Sequence, residues 1–134
     1  MKSADDLRDF AERYTAAWCS KDPGRVASFF SPAGSLAING GAPAAGRAAI
    51  TDVAQSFMTS FPDLCVILDD VIQESDHARY YWTLTGTSAG PGGNGSLVRI
   101  SGFESWQFAE DGLIAASEGN FDEVEYRRQL AGGI

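Results

Sequence analysis

The chain has 134 residues, 44% hydrophobic and 21% charged, with a net charge of −8 at pH 7. That is enough sequence for one domain with a single core, and its acidity excludes nucleic acid and anionic membranes as partners, because both would repel it. Two cysteines and one histidine exclude a disulfide framework and a clustered metal centre. No apolar run is long enough to span a membrane and none at the N-terminus suits a secretory signal, so the expectation is a cytoplasmic protein with Cys19 and Cys65 reduced and structural.

From Ala4 to Ser20 the residues Leu7, Phe10, Ala11, Tyr14, Ala17 and Trp18 follow the spacing of a helix that buries one face. Ser3 supplies its cap, and Asp5 and Asp6 suit the positive end of the helix dipole. Asp22-Pro23 starts a second, short helix that carries Val26, Phe29 and Phe30 inward, with Pro32 expected to stop it. Ser35 to Asn39 alternates as a brief strand, and Gly40 to Gly46 reads as loop. A third helix from Arg47 to about Ser60 carries the stripe Ile50, Val53, Ala54, Phe57 and Met58, which at this spacing is core packing before it is a cofactor box. Pro62 ends it. Leu64 to Gln73 and His77 to Ser88 are strands joined by the turn Glu74-Ser75-Asp76, the second with Tyr80, Trp82 and Leu84 on one side and Tyr81, Thr83 and Thr85 on the other. The glycine-rich loop from Ala89 to Ser96 joins two strands and has no lysine, so it is not a phosphate cradle.

Two further strand-like runs flank Glu110-Asp111-Gly112, a three-residue turn in which the glycine can take a positive φ. Pairing Ala109 with Leu113 then opposes Phe108 to Ile114, Trp106 to Ala116, Glu104 to Glu118, Gly102 to Asn120 and Ile100 to Asp122. In that register the two glutamates share a face at about 5 Å, where both cannot ionise cheaply in a confined site. A two-residue Asp-Gly loop instead opposes Glu118 to Ser105, and the glutamates can also simply face solvent or pair with arginines. A closing helix runs from Glu123 to Leu130.

The segments FPDL (61–64), TGTSAG (85–90) and DGLI (111–114) and the ending FDEVEYRRQL (121–130) resemble, in order and spacing, the SnoaL-like polyketide cyclases of the nuclear transport factor 2-like superfamily. The resemblance spans nearly the whole chain as one domain, 1–134. It implies an α+β cone in which a curved antiparallel sheet carries about three helices over its concave face and encloses a pocket, dimeric through the sheet, with a small hydrophobic molecule as ligand. In those cyclases an Asp shortly before the QL ending is the acid/base, and Asp122 matches it. Gly86-Thr87-Ser88 stands where a GTH pattern is common, and Glu118 where an aromatic residue is frequent, which makes the expected pocket more acidic.

The expected chemistry is proton abstraction beside a carbonyl of a hydrophobic, polycyclic compound, with Asp122 as base and neither metal nor organic cofactor. Phe57, Trp82, Trp106, Glu104 and Glu118 are expected at the pocket, and Asn39, Tyr81 and Asn120 are candidate donors to a developing oxyanion. Asp122 has a second reading as the cap of the closing helix. Two other functions stay open: a non-catalytic small-molecule-binding or dimerisation module on the same fold, and an epoxide hydrolase-like activity in which Asn39 helps hold the attacking water. Gly119 stands where the epoxide hydrolases carry a last-strand Asp.

Overall fold

The computed structural model describes residues 2–134. Helix α1 (Ala4–Cys19) starts where Ser3 Oγ accepts the Asp6 N–H, and it buries Leu7, Phe10, Ala11, Tyr14, Ala17 and Trp18. Helix α2 (Pro23–Ala27) has Asp22 as its cap, accepting from the Arg25 N–H, with Pro23 at its first position. Helix α3 (Arg47–Ser60) follows Gly46 and stops before Pro62. Strands β1 (Phe30–Ile38), β2 (Ala44–Ala45), β3 (Cys65–Gln73), β4 (Ala78–Ser88), β5 (Ser96–Phe108) and β6 (Ile114–Phe121) precede helix α4 (Glu123–Gly132). They form one curved sheet in the order β2-β1-β6-β5-β4-β3, antiparallel throughout except where β1 lies parallel to β6. The fold is α+β. One sheet face packs against the helices around a core whose largest fully buried side chains include Trp106, Tyr14, Tyr80, Phe30 and Phe61.

Pro32 does not stop α2, which ends at Ala27; it lies inside β1. The Ile114 N–H donates to the Phe29 carbonyl, so pairing with β6 draws the chain into a strand at Phe30. The ladder is irregular between Phe30 and Ser35, and there a proline without an N–H is tolerated. The loop expected over 40–46 also contributes the two residues of β2, paired with Ser35 and Leu36.

The turn between β5 and β6 forms as expected, with the Ala109 N–H donating to the Leu113 carbonyl and Gly112 at φ +80°. The register beyond it needs correction. Phe108 faces Ile114 but Gln107 faces Ala116, so Ala115 is an extra residue, and Glu104 pairs with Gly119 while Ser105 pairs with Glu118. Such a bulge turns over every later side chain. Burial explains it: the extra residue lets Ile114, Ser117 and Gly119 all face inward, whereas an unbroken ladder would have driven Glu118 into the core.

Beyond Gly102, β5 outruns β6, and α4 covers the gap. Gln129, 4% exposed, accepts the Arg99 N–H on its Oε1 in place of the missing strand. This docking brings Tyr126 edge-on to Phe121, with ring centroids 5.2 Å apart.

Candidate functional site

Glu104 sits in the middle of β5 and is 7% exposed. A carboxyl group in that position must be hydrogen-bonded or neutral. Its Oε1 accepts from Ser117 Oγ at 2.7 Å, Tyr14 OH at 2.9 Å and Trp106 Nε1 at 3.0 Å, while Oε2 has only a 3.2 Å contact with the same Tyr14 hydroxyl. One oxygen is saturated and the other retains acceptor capacity. Burial pushes the Glu104 carboxyl above the usual glutamate range, and the three donors only partly oppose this. The same burial, reinforced by the Glu104 charge, lifts the Tyr14 phenol well above its ordinary value, so Tyr14 stays a donor. Tyr80 stacks on Trp106 at 4.7 Å and pairs with Thr15 at 2.6 Å. Because the Thr15 hydroxyl proton goes to the Ala11 carbonyl, Tyr80 donates in that pair.

Glu104 is the one titratable carboxyl on the wall of a cavity between sheet and helices. Leu36 and Ile38 of β1, Gly119 and Phe121 of β6, Ile100 of β5, Tyr80, Trp82 and Leu84 of β4 and Val66 of β3 complete the sheet side; Trp18, Phe57 and Tyr126 come from the helices. The cavity is partly open to solvent and offers about 60 Å³, smaller than the roughly 300 Å³ at which drug-sized ligand sites begin. Two glycines shape it. A Cβ on Gly119 would stand 3.8 Å from Glu104 Cγ, so the missing side chain leaves the space beside the carboxyl open. At Gly102 a Cβ would fall 2.7 Å from Trp82 Cζ2, so that glycine lets the indole lie across β5. Trp82 Nε1 is buried with no protein partner, an unpaired donor beside the cavity.

Of the residues expected at the site, Phe57, Trp82 and Glu104 line the cavity, and Trp106 lies behind it as a donor to Glu104. Asp122 is exposed and outside the cavity; it is the N-cap of α4, and its Oδ1 accepts the Glu125 N–H at 3.0 Å. Glu118 is exposed on the opposite sheet face from Glu104, so the expected carboxylate pair does not exist; the bulge at Ala115 separates them. The same slip places Asn120 opposite Phe103, whose ring neighbours Tyr81, on the outward face. Asn39 has φ +51°, and its Oδ1 accepts the Phe121 N–H at 2.9 Å, which ties the end of β1 to β6; it is not among the residues that line the cavity. Tyr14 and Ser117 were missed as site residues. A buried tyrosine needs a partner for its hydroxyl, and that need was the available signal for Tyr14.

The SnoaL-like domain family matches residues 11–117, the span from the helix that carries Tyr14 to the strand that carries Ser117. No curated protein matches the chain at a significant level. Among solved structures, a candidate SnoaL-like polyketide cyclase from Jannaschia sp. CCS1 superposes with a TM-score of 0.78 at 15% identity, covering 100% of this chain and 99% of that one. The candidate hydroxylase AclR from Streptomyces galilaeus gives 0.80 at 19% identity, over 96% and 98%. A protein with a ketosteroid isomerase-like fold from Catenulispora acidiphila, in complex with trimethylamine, gives 0.81 at 14% identity, over 92% and 93%. These identities carry the fold alone, but the family match covers most of the chain and includes the elements that build the Glu104 cluster. On that match the chain belongs to the SnoaL-like domain family, within the nuclear transport factor 2-like superfamily.

Proposed function

We propose that the chain is a cyclase or isomerase acting on a small hydrophobic carbonyl compound, with Glu104, in place of the Asp122 expected from the family motif, as the residue that moves the proton. The observation that carries this reading is a carboxyl group on the wall of an apolar cavity, held through one oxygen by three neutral donors and raised in pKa by burial. A carboxyl raised toward working pH is suited to acid/base work. In the proposed step Oε2 takes a hydrogen as a proton from the carbon beside the carbonyl, the C–H electron pair becomes the C=C bond, and the carbonyl π pair moves to oxygen. Return of the proton at another carbon isomerises the compound, and attack of the enolate carbon on a second carbonyl closes a ring. The unpaired Trp82 Nε1–H would gain an acceptor in the ligand oxygen. The limited space favours a compact ligand over a polycyclic one.

The working form in this proposal is a cytoplasmic homodimer. Ile67, Ile72 and Leu97 stay 47%, 44% and 57% exposed on the sheet face away from the helices, where a second copy would cover them. Among the described residues, no helix is long and apolar enough to cross a membrane.

The test is deuterium incorporation, followed by NMR, into a panel of cyclic ketones with activated α-hydrogens, 2-tetralone among them. The wild-type protein should accelerate exchange with at least one, Glu104→Gln should lose about 10²–10⁴-fold of that rate, and Asp122→Asn should keep it. Full activity in Glu104→Gln would sink the assignment. Ligand binding without exchange anywhere in the panel would favour a non-catalytic binding module.

A further inference from the structure

Cys19 and Cys65 are 46 positions apart in sequence but meet where the last turn of α1 crosses the start of β3. Strand β3 is one of the two outer strands of the sheet, so one edge of its backbone has no strand partner. Cys19 fills that edge: its Sγ accepts the Val66 N–H at 3.2 Å and its S–H donates to the Val66 carbonyl at 3.3 Å. Val66 follows Cys65 directly. Peptide geometry places Val66 N about 2.4 Å from Cys65 Cα, so the Cys19 sulfur lies no more than about 5.6 Å from that Cα, and closing a disulfide needs the Cys65 side chain to turn toward it with a small shift of the backbone. The Cys65 thiol also acts electrostatically on the Cys19 thiol, and both residues are exposed. The chain holds no third cysteine.

We infer that Cys19 and Cys65 form a redox modification site, in which a hydroperoxide converts the two thiols to an intramolecular disulfide that staples α1 to β3. The Cys65 sulfur, free of backbone hydrogen bonds among the described residues, attacks the peroxide oxygen. The O–O bond breaks, an alcohol or water leaves, and Cys65 becomes a sulfenic acid. The Cys19 sulfur then attacks that sulfur, the S–O bond breaks, and the hydroxyl leaves as water with the Cys19 proton. In sum two thiols lose two electrons and two protons, and one peroxide becomes an alcohol and water. Partial desolvation of the Cys19 sulfur against β3 holds its thiol above its ordinary pKa, so the second, resolving step is assigned to Cys19 and the first attack on peroxide is not. The staple acts on the cavity as well, because Trp18 and Val66, the chain neighbours of the two cysteines, both line it.

The experiment treats the full chain with stoichiometric hydrogen peroxide and follows thiol content, intact mass and non-reducing electrophoresis. The expected result is migration as a single chain throughout, with loss of both free thiols, a mass lower by two hydrogen atoms and a raised Tm, these three reversed by dithiothreitol. Cys19→Ser should stop Cys65 at the sulfenic or sulfinic stage, seen as added oxygen, and Cys65→Ser should leave Cys19 largely unmodified. Disulfide-linked dimers in the wild type, thiols that persist, or oxygen addition in the wild type without cross-linking would each overturn the inference. None of these outcomes depends on the chemistry assigned to Glu104.

Discussion

Glu104 holds three buried donors, and replacing it separates its structural from its electrostatic role. Glu104→Leu removes the acceptor of Ser117 Oγ, Tyr14 OH and Trp106 Nε1, on residues no more than 1% exposed. At about 1–3 kcal/mol for each unpaired buried donor, the loss is roughly 3–9 kcal/mol, against a total stability of roughly 5–15 kcal/mol for an ordinary domain. Glu104→Gln retains an acceptor oxygen for the three donors and replaces the other oxygen by an uncharged amide NH2. Because burial raises the folded pKa of Glu104, the native state binds that proton more tightly than the unfolded chain does. Its stabilising contribution is full below the unfolded value near about 4.3 and is lost as pH rises through the folded value. Gln does not titrate. The stability of Glu104→Gln relative to wild type should therefore be lowest at pH 4 and increase by about 1.4 kcal/mol per pH unit until the folded pKa is passed. Urea unfolding at pH 4, 5, 6 and 7 measures this. A difference that does not change with pH, or a wild type that gains on the variant as pH rises, would refute the reasoning.

Gly102→Ala should destabilise by about 1–3 kcal/mol in urea unfolding and alter tryptophan fluorescence, since the new Cβ would lie 2.3 Å from the Asn120 carbonyl oxygen and 2.7 Å from the Trp82 indole. Asp122→Ala should cost about 0.5–2 kcal/mol through loss of the α4 cap, while Asp122→Asn, an equally good cap, should stay near wild type. Light scattering at micromolar concentration should give twice the 14.3 kDa chain mass, with Leu97→Glu shifting the protein toward monomer; a wild-type monomer would remove the dimer from the account.

The helices were legible because their apolar spacing is local: α3 runs over Arg47–Ser60 as its stripe implies, and Ser3 and Asp22 cap as their residue types suggest. Strand pairing was legible only up to the turn. In the run Ile114-Ala115-Ala116, two consecutive alanines fit either face, so nothing local announces the bulge that turns Ser117 inward and Glu118 outward. The family motif drew attention to Asp122, yet the adjoining helix N-terminus occupies its carboxylate. The Glu104 cluster draws on α1, β5 and β6, and no sequence spacing brings Tyr14, Trp106 and Ser117 together. The legible part was the i, i+2 pair Glu104 and Trp106, which any strand places on one face.

The proposed acid/base role of Glu104 needs a buried carboxyl whose pKa is raised above the ordinary glutamate value. It is tested most directly by a pH titration of the protein with ¹³C-labelled glutamate carboxyls, with the Glu104 resonance assigned by its absence in Glu104→Gln. The Glu104 midpoint should lie above the ordinary glutamate value of about 4.3, in line with the upward shift from burial. A midpoint at or below that value would mean that the three donors outweigh burial, leaving Glu104 a structural carboxylate and contradicting the proposed chemistry.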